Sequence, residues 1–155
     1  MVLAPDHDQA HRCSSSAETR TAHLVTSERL YALGIELMDR AMKDFEEAVS
    51  TSKATAFTYR DGVLVSLLAA VPLRRRTLAA LRIRTHLVKS GDLWALDIPA
   101  ADTKGGKVLE FPISPALSNG LDVYLKWFRA RIPGADAHDG LWASNQARPM
   151  FTDSG

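Results

Sequence analysis

Two segments, Pro72-Leu73-Arg74-Arg75-Arg76-Thr77-Leu78-Ala79-Ala80-Leu81-Arg82 and Thr103-Lys104-Gly105-Gly106-Lys107, bound the stretch that decides how this chain reads. Between Pro72 and Lys107 lie eight Lys and Arg (Arg74, Arg75, Arg76, Arg82, Arg84, Lys89, Lys104, Lys107) against three acids (Asp92, Asp97, Asp102), although the whole chain carries a formal charge of only +1. Positive charge is thus gathered in one place. Such a local excess suits a polyanion, DNA phosphate in particular, better than it suits a generally basic surface.

Working outward, Pro72 ends the element before it, because proline removes a backbone donor and disfavours helix in the preceding residue. Arg74 to Arg82 restarts as a short helix with Leu78 and Leu81 inward. An arginine just inside a helix start stands where backbone N–H groups and the helix dipole also favour an anion. Arg84 to Val88 and Leu93 to Ile98 read as strands around the turn signal Lys89-Ser90-Gly91-Asp92. In the second, Trp94, Leu96 and Ile98 share one face, and Leu93, Ala95 and Asp97 the other. Val108 to Ile113, beyond the lysine turn, is a third strand. Ser114-Pro115 opens a helix, a capping serine before a proline at the first position. Its core stripe is Leu117, Leu121, Tyr124, Leu125 and Phe128, and Pro133-Gly134 stops it. A polar loop, 135–140, then leads to the short apolar piece Leu141-Trp142-Ala143.

Upstream, Ala54 to Val71 forms a helix whose second half (Val63, Leu64, Val65, Leu67, Leu68, Ala69, Ala70, Val71) is apolar on nearly every side, the mark of a centrally buried helix. Before it, Ser27 caps a helix with Leu30, Leu33, Leu37, Ala41, Phe45 and Ala48 at three- and four-residue steps, widened by Met38 and Met42. Its other face, with Glu36, Asp39, Lys43, Glu46 and Glu47, is acidic and solvated, which argues against a DNA contact there. Thr51-Ser52-Lys53 is a polar break. Residues 1–24 are polar and aperiodic and read as a flexible arm.

The fold class that follows is α+β, helices packed on a small three-stranded antiparallel sheet. Residues 1–24 are the arm, 25–52 a linker or remnant helix, and 53–155 the main domain. At 46% hydrophobic and 24% charged, the chain can bury a core. Its longest apolar run, Gly62 to Pro72, is far shorter than the ~20 residues of a membrane span. No leader is expected from Met1 to Arg12, and the expected compartment is the cytoplasm. Cys13 is the only cysteine, which excludes an internal disulfide and a cysteine metal cluster. His7, His11 and His23 lack metal-ligand spacing, so neither a metal nor a cofactor is assigned.

An apolar helix, a Leu-Arg-x-x-x-Leu-x-x-Leu-Arg pattern (Leu73 to Arg82), a hairpin, and a Thr-Lys-x-Gly-Lys turn resemble, over roughly residues 55–150, the first half of a tyrosine recombinase (phage-integrase type) catalytic domain. The resemblance implies that Arg74 is the first catalytic arginine and Lys104 the catalytic lysine of the β-hairpin. A planar guanidinium matches two non-bridging phosphate oxygens, where charge grows in phosphoryl transfer. Losing such a preorganised donor costs about 3–4 kcal/mol of barrier. A lysine at a hairpin tip can protonate a leaving 5′ oxygen, a task often worth about 10²–10⁴ in rate. Arg75, Arg76 and Lys107 are expected to touch DNA phosphate without a catalytic part.

Double-stranded DNA is the implied partner, with a full-length recombinase as a second. The chain departs from the family pattern in having no His-x-x-Arg box, no later His or Trp, and no nucleophilic tyrosine after Trp142. Thr77 replaces the acid that often follows the first arginine. His138 has no arginine three residues on and is left unassigned. Tyr31, Tyr59 and Tyr124 fall in helices ahead of the missing box and read as packing residues. The function that results is a truncated site-specific recombinase, unable to transfer strands alone. The alternatives are a DNA-binding regulatory module and an unrelated small α+β interaction protein. Missing helices would also leave an exposed apolar surface.

Overall fold

A computed structural model describes residues 24–48, 52–146 and 148–150. The arm with Cys13, His7, His11 and His23 lies outside the described residues, apart from Leu24, as do Thr51 and the final residues 151–155. Where described, the chain is α+β: helices α1 (Ser27–Glu47), α2 (Lys53–Ala70), α3 (Arg75–Ala79), α4 (Ile83–His86) and α5 (Pro115–Val123), with strands β1 (Leu87–Ser90), β2 (Leu93–Ile98) and β3 (Leu109–Pro112). No helix among the described residues is long and apolar enough to cross a membrane.

Thr26, not Ser27, caps α1: its hydroxyl accepts the Arg29 N–H at 3.3 Å. The inward face also sits elsewhere than expected. Gly34, Met38 and Ala41 are buried, while Leu33 is 45% exposed and Ala48 is exposed. The reason is close backbone approach to α2. A Cβ on Gly34 would lie 2.1 Å from Ser66 Oγ and 2.7 Å from Gly62 O, so only glycine lets the two helices meet there. That contact turns α1 about its axis and moves Leu33 out. Gly34 near Gly62 and Ser66, and Met38 near Gly62, run in opposite directions along the two helices. The pair is therefore an antiparallel hairpin.

Ser52 caps α2 by accepting the Thr55 N–H at 3.2 Å, which places Lys53 inside the helix rather than in the break. The expectation that its second half is buried all round fails: Leu68 is 46% exposed and Ala70 is exposed. Val63, Ser66 and Leu67 are buried, while Leu68 and Ala70 are left in solvent. Met38 and Ala41 of α1 belong to the same core as α2 and the sheet.

The sheet has the order β1-β2-β3, antiparallel throughout, with Leu87 opposite Leu96 and Leu96 opposite Phe111. Leu96 and Ile98 are fully buried on the expected inner face. Strand β1 starts later than expected, because 83–86 closes into a helical turn: His86 Nδ1 accepts the Arg82 N–H at 2.9 Å, where a strand would splay it outward. Strand β3 is likewise shorter than the expected Val108 to Ile113. Ser118 Oγ accepts the Trp94 N–H at 3.0 Å and fastens α5 to β2.

Ser114 caps α5 with Pro115 at its first position, as expected. Leu117, Leu121, Tyr124 and Phe128 are wholly buried, while Leu125 is half-buried. Beyond α5 the helix widens through a π-helical turn, Tyr124–Phe128, and then tightens into a 3₁₀ turn, Arg129–Arg131. Tyr59 stacks on Phe128 with centroids 4.2 Å apart and 11° between planes, and Phe45 meets Phe128 edge-on at 5.4 Å.

Candidate functional site

The arginine helix α3 has five residues, too few to be stable alone, so its place is set by what packs on it. The segment 138–143 does this. Leu141 N–H donates to Leu81 O at 2.8 Å, Ile83 N–H donates to Asp139 O at 2.8 Å, and the Trp142 indole N–H donates to Leu78 O at 2.7 Å. The segment is itself anchored by buried donors. Tyr124 OH reaches Leu141 O at 3.0 Å, Arg60 Nη1 reaches Ala143 O at 2.7 Å, and Arg129 Nη2 reaches His138 O and Gly140 O at 2.8 and 2.9 Å. Core groups thus satisfy backbone carbonyls that would otherwise be buried without partners.

Lys104 rides on the other wall, in the connection between β2 and β3. The 3₁₀ turn Ala100–Asp102 leads into Thr103, whose Oγ1 accepts the Lys107 N–H at 3.1 Å and lies 2.8 Å from Lys107 O. That closes a small ring holding Lys104, Gly105 and Gly106. Gly106 has φ 62°, a conformation glycine takes without strain.

The two walls enclose a cleft of about 1100 Å³. Arg74, Arg76, Arg82 and Lys104 line it with Asp102, Asp139, His86 and His138, over a floor that includes Leu81, Trp142 and Pro149. Arg74 and Lys104, 30 positions apart in the chain, therefore open onto one concave surface. Arg76 joins them. Arg75 and Lys107 are exposed and are not among the lining residues. Arg74 is the cap residue preceding α3 rather than its first helical residue, and its side chain makes no capping bond. Expected anion binding at that helix start is thus replaced by a guanidinium standing ahead of the helix. Lys89, counted in the basic stretch, is spent elsewhere: its ammonium lies 2.7 Å from Asp122, which the Trp94 indole also reaches at 2.9 Å. Its ion pair holds the Asp122 carboxyl below the usual range.

His138 Nδ1 accepts the Gly140 N–H at 3.1 Å, while Nε2 is buried and has no hydrogen-bond partner. Burial first, then the nearby Arg129 guanidinium, pushes its pKa below the ordinary 6.5, so the ring is neutral at pH 7. Neither Tyr59 nor Tyr124 lines the cleft. Burial drives both phenols up to about 12, and Tyr124 spends its hydroxyl on Leu141 O. Tyr31 is half-buried, with its hydroxyl 3.1 Å from Ser114 Oγ. Among the described residues no group of three or more His, Cys, Asp or Glu is placed to hold a metal ion.

Sequence reasoning missed Trp142, His86 and Asp102 as builders of this site. The first was visible as an aromatic in a short apolar piece. The others gave no signal, because a bond from residue 86 to residue 102 depends on how the hairpin folds back. No protein-family model, curated protein or solved structure matches this chain.

Proposed function

We propose that the cleft binds the phosphate backbone of double-stranded DNA, and that the chain represents the first half of a tyrosine-recombinase catalytic surface, without strand-transfer activity of its own. The observation that carries this reading is the convergence of Arg74 and Lys104 on one cleft with Arg76 and Arg82. Four cations against two carboxylates leave an excess of positive charge inside a concave surface, where field lines concentrate. Arg74 supplies the planar donor and Lys104 the mobile point charge. Buried Tyr59 and Tyr124, with pKa values raised rather than lowered, are unsuited as nucleophiles, which supports binding without cutting.

Titration of a labelled duplex at several salt concentrations tests the reading. Arg74→Ala and Lys104→Ala are each expected to weaken binding and to lower the salt slope by about 1. Unchanged affinity and slope in both variants would remove it. A covalent adduct with nicked duplex that survives denaturant would overturn the claim of inactivity. The same cleft would serve a regulatory DNA-binding module. An unrelated interaction protein would be favoured by an arginine helix and a lysine turn on opposite sides, and their shared cleft counts against it.

A further inference from the structure

His86 and Asp102 bridge the two walls of the cleft. His86 is 4% exposed at the end of α4. Its Nδ1 takes the Arg82 N–H at 2.9 Å, so in the neutral ring Nε2 carries the proton and donates to Asp102 Oδ2, also at 2.9 Å. Asp102 ends the 3₁₀ turn directly before Thr103, and Thr103 closes the ring that presents Lys104. A continuous set of bonds therefore runs from the arginine wall to the lysine loop. The loop tip is otherwise open: a Cβ added at Gly105 or Gly106 would meet nothing within 4 Å. A carboxylate beside a phosphate site is electrostatically adverse, and its side chain is 50% exposed. Its presence there calls for a role that outweighs the repulsion.

We infer that His86 and Asp102 are a positioning pair that straps the Lys104 loop over the cleft; this rests on the phosphate-binding reading above. The pair acts through Lys104 and touches no phosphate itself. A free ten-residue connection, 99–108, would spread its lysine over many orientations, and fixing one anchor near the tip removes most of that freedom.

The test compares wild type, Lys104→Ala, His86→Asn, Asp102→Ala and the doubles of the last two with Lys104→Ala. Asn at 86 keeps an acceptor for the Arg82 N–H while losing the bond to Asp102. Binding of a short fluorescein-labelled duplex is read by anisotropy at low salt, and amide exchange is read across 100–108. His86→Asn and Asp102→Ala are each expected to weaken binding about threefold, and to add nothing once Lys104 is alanine, as coupled groups do. Exchange across the loop is expected to quicken in both singles. His86→Gln, whose amide N–H reaches the Nε2 position, is expected to recover most of the affinity.

For Asp102→Ala the sign discriminates. Loss of a carboxylate should strengthen DNA binding if the residue is merely a charge, so a gain in affinity overturns the strap. Losses that simply add to that of Lys104→Ala overturn it too. If neither Lys104→Ala nor Arg74→Ala differs from wild type on DNA, the phosphate reading falls by itself, and exchange decides the strap: faster exchange supports it, and unchanged exchange rejects it.

Discussion

His138 holds its proton less tightly in the fold than it would in the unfolded chain, because burial and Arg129 both disfavour the imidazolium. Acid therefore favours the unfolded state. The contribution is fully present above the ordinary pKa of 6.5, is lost as pH falls below it, and levels off once the folded-state pKa is passed. Replacement by asparagine keeps an acceptor for the Gly140 N–H but removes the titration. His138→Asn is expected to flatten the fall in urea-unfolding free energy between about pH 7 and pH 5. An unchanged pH profile would mean that the ring is not held neutral. At this scale Arg74 and Lys104 were singled out through the resemblance to tyrosine recombinases, and the structure places both on the cleft. Illegible was the state of His138, set first by burial and then by the Arg129 guanidinium.

The element scale turns on α3. Five residues and a cap carrying no side-chain bond cannot hold Arg74 in place, so α3 depends on Trp142, which is 1% exposed and donates to Leu78 O. Trp142→Phe keeps most of the ring volume and removes the N–H. A loss of about 1–2 kcal/mol in chemical denaturation is expected, with weaker duplex binding as α3 loosens. Stability equal to wild type would show that packing alone seats the helix. Element types were largely legible here. Leu93 to Ile98 alternates as a strand with one buried face, and Ser114-Pro115 marks a helix start through its own capping chemistry. Boundaries governed by distant partners were not, such as 83–86, where the His86 ring closes a helical turn.

For the whole molecule, the low net charge predicts modest and cleft-centred binding rather than broad attraction. Four lining cations would displace at most about four counterions, which gives a log–log salt slope no steeper than about −3.6 and a Kd of about 10⁻⁴–10⁻⁶ M at physiological salt. Measured isotherms across a range of potassium chloride concentrations check this. A slope near zero would exclude phosphate contact, and a slope twice as steep would require cations outside the cleft. Leu33, Leu68, Val88, Leu93, Val108 and Trp127 are each more than two-fifths exposed.

By itself the sequence determined the α+β class, the three antiparallel strands and the concentration of charge between Pro72 and Lys107. These depend on local pattern: side-chain period, capping residues, turn glycines and composition. Only the tertiary structure decided that α1 turns Gly34 rather than Leu33 inward, that Lys89 is diverted to Asp122, and that Arg74 and Lys104 share a cleft while Arg75 and Lys107 lie outside it. Such outcomes follow from which surfaces approach closely enough to exclude water and exchange hydrogen bonds. That is a property of the packed chain, and no run of neighbouring residues encodes it.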